Sequence, residues 1–275
     1  MITDDLLKKC EVATKIMRKR CLDMTFSTGN NGAHIGGALS IIEILATLYL
    51  GVIDPNKIAC NSEYRDRFIL SKGHGALALY AALSCVGLIE ESELDTYKSN
   101  NTYLYGHPSI NLEKGIEFSS GSLGQGLSLG VGTCLSLYFK KNNSSKVFVL
   151  LGDGECDEGS IWEAASSASH FNTKNLTAIV DKNGLQYDGY TKDVMDKGEM
   201  ERRWSAFGWH TIEIDGHDIS QLYNAFMLET EKPKVIIANT IKGKGISFME
   251  NNPLWHHSRI TQQQYDDAIF ELEVN

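Results

Sequence analysis

The chain reads as an α/β domain, a parallel β-sheet flanked by helices on both faces. Three observations predict it. From residue 147 to the end, short apolar runs alternate with segments of helical period, the order that builds parallel strands joined by right-handed crossovers. The runs Val147-Phe-Val-Leu-Leu151 and Leu176-Thr-Ala-Ile-Val180 are continuously apolar, as strands covered on both faces are. Each leads into a polar turn, Gly152-Asp153-Gly154 after the first and Asp181-Lys182-Asn183 after the second.

Taken in order, helical patterns are expected over 3–26 and 38–50, the first opening charged and amphipathic. A short strand at Phe68–Leu70 precedes a helix over 74–86. A helix over 124–140 leads to the strand 147–151, a helix over 158–170 and the strand 176–180. The remaining elements are a helix over 197–207, a strand 211–214, a helix 218–231, a strand 234–239 and a final helix 261–273. Thr261 and Gln264 give that last helix a capping box. No internal repeat, low-complexity tract or Pro/Gly linker divides the chain, and its four prolines stand alone at 55, 108, 233 and 253. With 275 residues, 42% of them hydrophobic, residues 1–275 are read as one domain with a large core.

The charge excludes some functions. The net charge is −9, and no basic stripe of the kind a nucleic-acid binder needs is visible. No apolar run approaches the roughly 20 residues of a membrane-spanning helix, and the amino terminus is not a signal peptide. Cys10, Cys21, Cys60, Cys85, Cys134 and Cys156 form no C-x-x-C and no zinc spacing. They are expected to be mostly buried thiols of a cytoplasmic protein. Neither G-x-G-x-x-G nor a P-loop is present, so a nucleotide-binding module finds no support.

The turns after the two apolar runs are the most informative segments. In an open parallel sheet the ligand sits at the carboxyl ends of the strands. A carboxylate from Asp153 and a carboxamide from Asn183 can converge there on one hard cation. Mg²⁺ suits oxygen donors of this kind and commonly shares them with a diphosphate, with Ca²⁺ or Mn²⁺ as substitutes. The glycines let the backbone approach such a ligand closely. Gly-Asp-Gly alone is also an ordinary strand-to-helix turn; the pairing with Asn183, about 28 residues on and after a second buried run, sets it apart.

Histidines supply the second cluster. His34, His74 and His107 lie in glycine-flanked segments, Asn31-Gly32-Ala33-His34-Ile35-Gly36-Gly37, Leu70-Ser71-Lys72-Gly73-His74-Gly75 and Tyr105-Gly106-His107-Pro108, and His256 follows Trp255. Loops carry site residues, and imidazole moves protons near neutral pH. These segments, with Gly121-Ser122-Leu123-Gly124-Gln125-Gly126 and Lys242-Gly243-Lys244-Gly245, resemble the amino-terminal half of transketolase in order and spacing over roughly 10–260. The Asp153/Asn183 pair resembles that family's thiamine diphosphate motif, with Lys182 where Asn is more common and Gly-Ala before His34 in place of Ser-Gly.

The resemblance implies the thiamine-diphosphate-binding fold of the diphosphate type, with thiamine diphosphate and Mg²⁺ as cofactors. It implies that Asp153 and Asn183 bind the metal by side chain and Leu185 by its carbonyl. Gly154 and Asn183 would touch the diphosphate, and Gly121, Ser122 and Leu123 would pack around the cofactor. Lys242 and His256 match basic residues near the diphosphate, His74 lies near the cofactor, and His34 and His107 face the donor sugar. Glu158 matches an acid that links two cofactor sites across a subunit interface. His257 stands where a glycine is common, while His170, His210 and His217 match nothing catalytic and are read as structural.

The activity implied is transfer of a two-carbon ketol unit from a ketose or its phosphate to an aldose. Full-length transketolases are more than twice as long as these 275 residues. The pyrimidine-binding and carboxyl-terminal domains are therefore expected on a separately encoded partner, in a heterotetramer of two plus two. One rival is the α subunit of a thiamine-diphosphate-dependent 2-oxo acid dehydrogenase or decarboxylase, which does not need this set of histidines. A deoxyxylulose-phosphate synthase fragment is another, although that family keeps both halves on one chain. A scaffold subunit that has lost its chemistry is the rival from another class, and intact Asp153, Asn183, His34, His74 and His107 weigh against it.

Overall fold

The computed structural model describes residues 2–196 and 198–274. Its strands are β1 (Arg67–Leu70), β2 (Val147–Gly152), β3 (Leu176–Lys182), β4 (His210–Asp215) and β5 (Lys234–Asn239). They form one sheet in the order β1-β2-β3-β5-β4, every pair parallel. The register sets Gly152 beside Asp181, and Lys182 and Asp215 beside Asn239, so β2, β3, β5 and β4 end together.

Side chains alternate across this sheet and feed two hydrophobic clusters. Phe148, Leu150, Ile179 and Ile236 point to one face, where α1 (Asp4–Ser27), α3 (Ile42–Gly51), α5 (Ala76–Cys85) and α10 (Ile219–Met227) pack. Val149, Leu151, Ala178, Val180 and Ile237 point to the other, under α6 (Gly126–Phe139), α7 (Gly159–His170) and α9 (Met200–Ala206). This is the doubly covered parallel sheet that the sequence predicts.

Element boundaries follow the expectations with four differences, one being that the helix expected over 218–231 ends at Met227, as α10. The pattern read as one helix over 38–50 is two, α2 (Ile35–Leu39) and α3, parted where Ser40 Oγ bonds Asp181 at 2.8 Å. Two short helices were not foreseen, α4 (Pro55–Ala59), capped by Asp54 with Pro55 in its first turn, and α8 (Thr191–Val194). The helix expected over 197–207 begins on Lys197, which lies outside the described residues, and is observed as α9.

At the carboxyl terminus α11 (Gln262–Val274) carries the expected box: Gln264 N–H donates to Thr261 Oγ1 at 3.3 Å, and Thr261 N–H to Gln264 Oε1 at 3.0 Å. His217, read as structural from the sequence, contacts Glu43 and Ile241. It lies 2.9 Å from Glu43 Oε2 through Nδ1, and its Nε2 accepts from Ile241 N–H at 2.8 Å. Of the six cysteines, Cys10, Cys21, Cys134 and Cys156 are buried. No described helix is long and apolar enough to cross a membrane.

Candidate active site

The carboxyl ends of β1, β2, β3 and β5 each carry a polar turn, and three glycine-rich loops fold over them. Asp153 follows β2 directly and is almost wholly buried, at 3% exposure. Its Oδ1 accepts from Gly154 N–H at 2.8 Å and its Oδ2 from Gly184 N–H at 2.7 Å. Burial, and after it the neighbouring Asp181 carboxylate, push the Asp153 carboxyl up to about 6. No Lys or Arg pairs with it among the described residues.

Asn183 is oriented by that same Asp181. Its Nδ2 donates to Asp181 Oδ2 at 2.8 Å, leaving the carboxamide oxygen toward Leu185, whose N–H donates to it at 3.1 Å. The Leu185 carbonyl accepts from Lys242 Nζ at 3.1 Å, and Lys242 Nζ lies 2.9 Å from His256 Nδ1. Burial, then the Lys72 charge, hold Lys242 down at about 8. So the sequence-matched residues Asp153, Asn183, Leu185, Lys242 and His256 form one connected cluster.

Asp181 is the hub that sequence reasoning missed. Fully buried at the end of β3, it pairs with Lys72 and accepts from Ser40 Oγ, Asn183 Nδ2 and Thr240 Oγ1. Lys72 Nζ also donates to the Gly37 carbonyl at 2.8 Å. The Lys72 charge, with these hydrogen bonds, outweighs burial and keeps Asp181 ionised below its ordinary value. One carboxylate thereby ties the His34, His74, Asn183 and Lys242 segments together.

Glu155 does the same for the glycine-rich loop. It is buried and accepts from Ser71 Oγ, from Gly124 N–H at 2.9 Å and from Gly152 N–H at 3.0 Å. Ser71 Oγ in turn accepts from Gly126 N–H at 3.1 Å. This seats Gly121, Ser122 and Leu123 beside the β2 turn, and Leu123, half-buried, belongs to neither hydrophobic cluster. A Cβ on Gly73 would lie 2.7 Å from Ser120 Oγ, a buried hydroxyl with no partner among the described residues. Glu158 departs from the rest: it is exposed at the start of α7 and caps nothing.

The histidines converge. The His34 ring centroid lies 5.8 Å from His74, 5.3 Å from His107, 5.5 Å from His256 and 4.5 Å from His257. Backbone pairing brings them together, with Ala33 and Ser258 exchanging two hydrogen bonds of 3.0 Å. Gly32 makes this possible. Its φ is +60°, and a Cβ there would lie 2.7 Å from the Ser258 carbonyl oxygen. Burial holds His34 and His256 at about 3 and His74 well below the ordinary imidazole value, with neighbouring cations adding to the effect. All three are neutral near pH 7, able to accept a proton at one nitrogen and donate at the other.

Two groups can be matched to this geometry. The oxygens of Asp153, Asn183 and Leu185 are hard donors, and a buried carboxylate with a raised pKa and no cation partner fits a divalent metal. The Lys242 ammonium on the Leu185 carbonyl marks the same ring of oxygens as a cation position. Lys242, His256 and the glycine turns beside them suit a diphosphate.

Comparison with known proteins agrees with this geometry. Residues 12–269 match the family described as transketolase, thiamine diphosphate binding domain. Over 265 residues the chain is 39% identical to a Phocaeicola vulgatus protein named as one of the subunits of an apulose-4-phosphate transketolase, covering 95% of this chain and 93% of that protein. It is 41% identical to the Clostridium protein named 6-deoxy-6-sulfo-D-fructose transketolase subunit SqwG, covering 87% of this chain and 88% of that one. Among solved structures, transketolase from Campylobacter jejuni superposes with a TM-score of 0.84 at 25% identity, covering 99% of this chain and 43% of that chain. The chain thus spans less than half of that full-length enzyme.

Proposed function

This chain belongs to the transketolase thiamine diphosphate binding domain family, and from that premise we propose that it is the amino-terminal subunit of a two-chain transketolase. The observation that carries the proposal is the convergence of Asp153, Asn183, Lys242 and His256 at the strand ends, under a mouth lined by His34, His74 and His107. When bound, thiamine diphosphate supplies the electron sink that holds a two-carbon ketol unit between donor ketose and acceptor aldose.

Each residue then has a task. Asp153 and Asn183, with the Leu185 carbonyl, would hold Mg²⁺, and the bond to Asp181 fixes the Asn183 amide so that its oxygen points away from Asp181. Lys242, His256 and Gly154 receive the diphosphate. Gly121, Ser122 and Leu123 wall the cofactor, with Ser120 behind them. His34 and His107 hydrogen-bond the donor hydroxyls, and a neutral imidazole there takes up the proton that leaves and returns it later. His74 would lie near the cofactor, with its charge suppressed by burial. Exposed Glu158 faces outward, the position of an acid that meets its counterpart at a subunit interface.

The partner is proposed to be a separately encoded pyrimidine-binding half, in a complex of two plus two. Two relatives that match this chain along most of their own length are themselves named as subunits, which supports the reading. The sugars in their names carry a phosphate or a sulfo group, and we take the sugar here to carry an anionic end as well. We take the setting to be cytoplasmic, where thiols such as the mostly buried cysteines stay reduced.

The test is co-expression with a candidate second chain, followed by native mass, calorimetric thiamine diphosphate binding with and without Mg²⁺, and a ketol-transfer assay. A two-plus-two complex that binds the cofactor only with Mg²⁺ and turns over sugar is expected. Full activity of this chain alone would end the split-enzyme reading, and a complex unable to bind the cofactor would end the catalytic one.

A further inference from the structure

We propose that this chain itself reads the charged end of the substrate: Lys98 and His257 form an anion-recognising rim on the histidine-lined mouth and receive a phosphate or sulfonate borne by the sugar. The inference rests on the ketol-transfer reading above and adds to it the residues here that select the end group.

The three loops that build the mouth are free of acid. Residues 28–37, 98–109 and 253–264 contain no Asp or Glu, in a chain whose net charge is −9. They carry Lys98, Arg259, His34, His107, His256 and His257. The one cation common to the surroundings of His34, His107 and His257 is Lys98, and the uncharged imidazoles beside it can donate ring N–H groups. A neutral sugar gains little from such a mouth, whereas an oxyanion meets complementary potential and charge-assisted donors.

Lys98 is built into its place. Its backbone has φ +56°, and its ammonium donates to the Gly32 carbonyl at 2.8 Å, directly before the Ala33–Ser258 pairing. The side chain is half-buried, which lowers its pKa, and no carboxylate pairs with it among the described residues. An ammonium has three donors and the carbonyl takes one, leaving two for a ligand. His257 follows on the other strand of the pairing. Its ring stands edge-on to His34 at 4.5 Å and is exposed, so it lies outward of the half-buried His34. Arg259 Nη1 on Asn30 Oδ1, at 2.9 Å, ties the same two loops together beside it.

The experiment is histidine-ring NMR on the full chain, titrated with inorganic phosphate and separately with methanesulfonate at constant ionic strength. Saturable shifts of His257 and His34 are expected, with His170 and His210 still. Lys98→Met is expected to weaken the response roughly ten-fold or more, and Lys98→Arg to retain it. The tighter of the two probes identifies the end group as phosphate or sulfonate. Shifts confined to His256 and unchanged in Lys98→Met, or no saturable shift of His257, would overturn the rim. With the two-chain enzyme, Lys98→Met should lower the kcat/KM ratio of fructose 6-phosphate to fructose about ten-fold, and an unchanged ratio would also overturn it. If the unaltered pair turns over neither sugar, the ketol-transfer reading fails, and the phosphate titration still decides the rim.

Discussion

Asn183 donates its carboxamide N–H to Asp181 at 2.8 Å, and this bond decides which atom of Asn183 faces away from Asp181, toward the proposed metal donors. An ionised carboxylate only accepts, so the amide nitrogen must turn toward it and the oxygen away. Asp181 can be ionised in the core because Lys72 pairs with it there. The orientation of the Asn183 carboxamide thus depends on a buried ion pair that lies outside the proposed set of metal donors.

Asp181→Asn therefore has two expected effects. Lys72 loses its counter-ion at 1% exposure, and breaking a buried pair of this kind costs about 3–5 kcal/mol. The carboxamide of Asn183 loses its fixed acceptor, which should weaken Mg²⁺-dependent cofactor binding by about 10–100-fold. Urea denaturation of the chain and cofactor calorimetry of the complex measure the two separately. An unchanged midpoint would mean that the pair contributes nothing to stability.

Glu155 gives a second prediction through different physics. Glu155→Ala strips the acceptor from Gly124 N–H, Gly152 N–H and the Ser71 hydroxyl, all in the buried interior of the site. Each donor left unsatisfied costs about 1–3 kcal/mol. The loss should concentrate in one place, so hydrogen exchange at Gly124 and Gly126 should accelerate by more than that of the β3 amides. Uniform acceleration across the sheet would indicate a global effect instead.

Much of this fold was legible because buried parallel strands announce themselves as apolar runs. Strand β5 occupies the expected 234–239, and β2 and β3 begin at the expected Val147 and Leu176. The misses share a cause. Helices α4 and α8 have 5 and 4 residues, too few to show a period. The break between α2 and α3 is made by Ser40 bonding Asp181, 141 positions away, which no local pattern records. The site shows the same division. Glycine-flanked histidines and the two strand-end motifs mark the residues that the proposal places against ligand. Asp181, Glu155 and Lys72 lie within or beside those same motifs, yet their work is to join segments that only the fold brings together.

The histidine cluster predicts an acid-sensitive protein. His34 has its pKa at about 3 in the fold, through burial and then the charges of His257, His256, His107 and Lys98. In the unfolded chain it returns to about 6.5. Between those values the unfolded state binds the extra proton, so stability is present above the upper value and falls as the pH drops below it. Asp153, raised to about 6, acts in the opposite sense below that pH. The comparison that isolates the histidine is Tm against pH from 8 to 5 for the cofactor-free chain and its His34→Gln variant, about the ordinary imidazole range. The unaltered chain should lose more stability over that span. Parallel curves would show that His34 carries no such penalty.

Asp153→Asn separates the needs of the fold from those of the site. The carboxylate is buried, faces Asp181 and has backbone N–H groups from Gly154 and Gly184 as its partners. Burial works against its charge in the cofactor-free chain. An Asn of the same shape keeps oxygen acceptance at one position and gives up the other backbone N–H bond, worth about 1 kcal/mol, but it removes the buried charge beside Asp181, which is the larger effect. The cofactor-free variant should melt no lower than the unaltered chain. Mg²⁺-dependent thiamine diphosphate binding by the two-chain complex should be lost, because the charged metal donor is gone. A residue kept for binding at the expense of stability gives this opposite pair of signs. If the variant both melts lower and still binds the cofactor, Asp153 is a structural carboxylate and the metal position must be sought elsewhere.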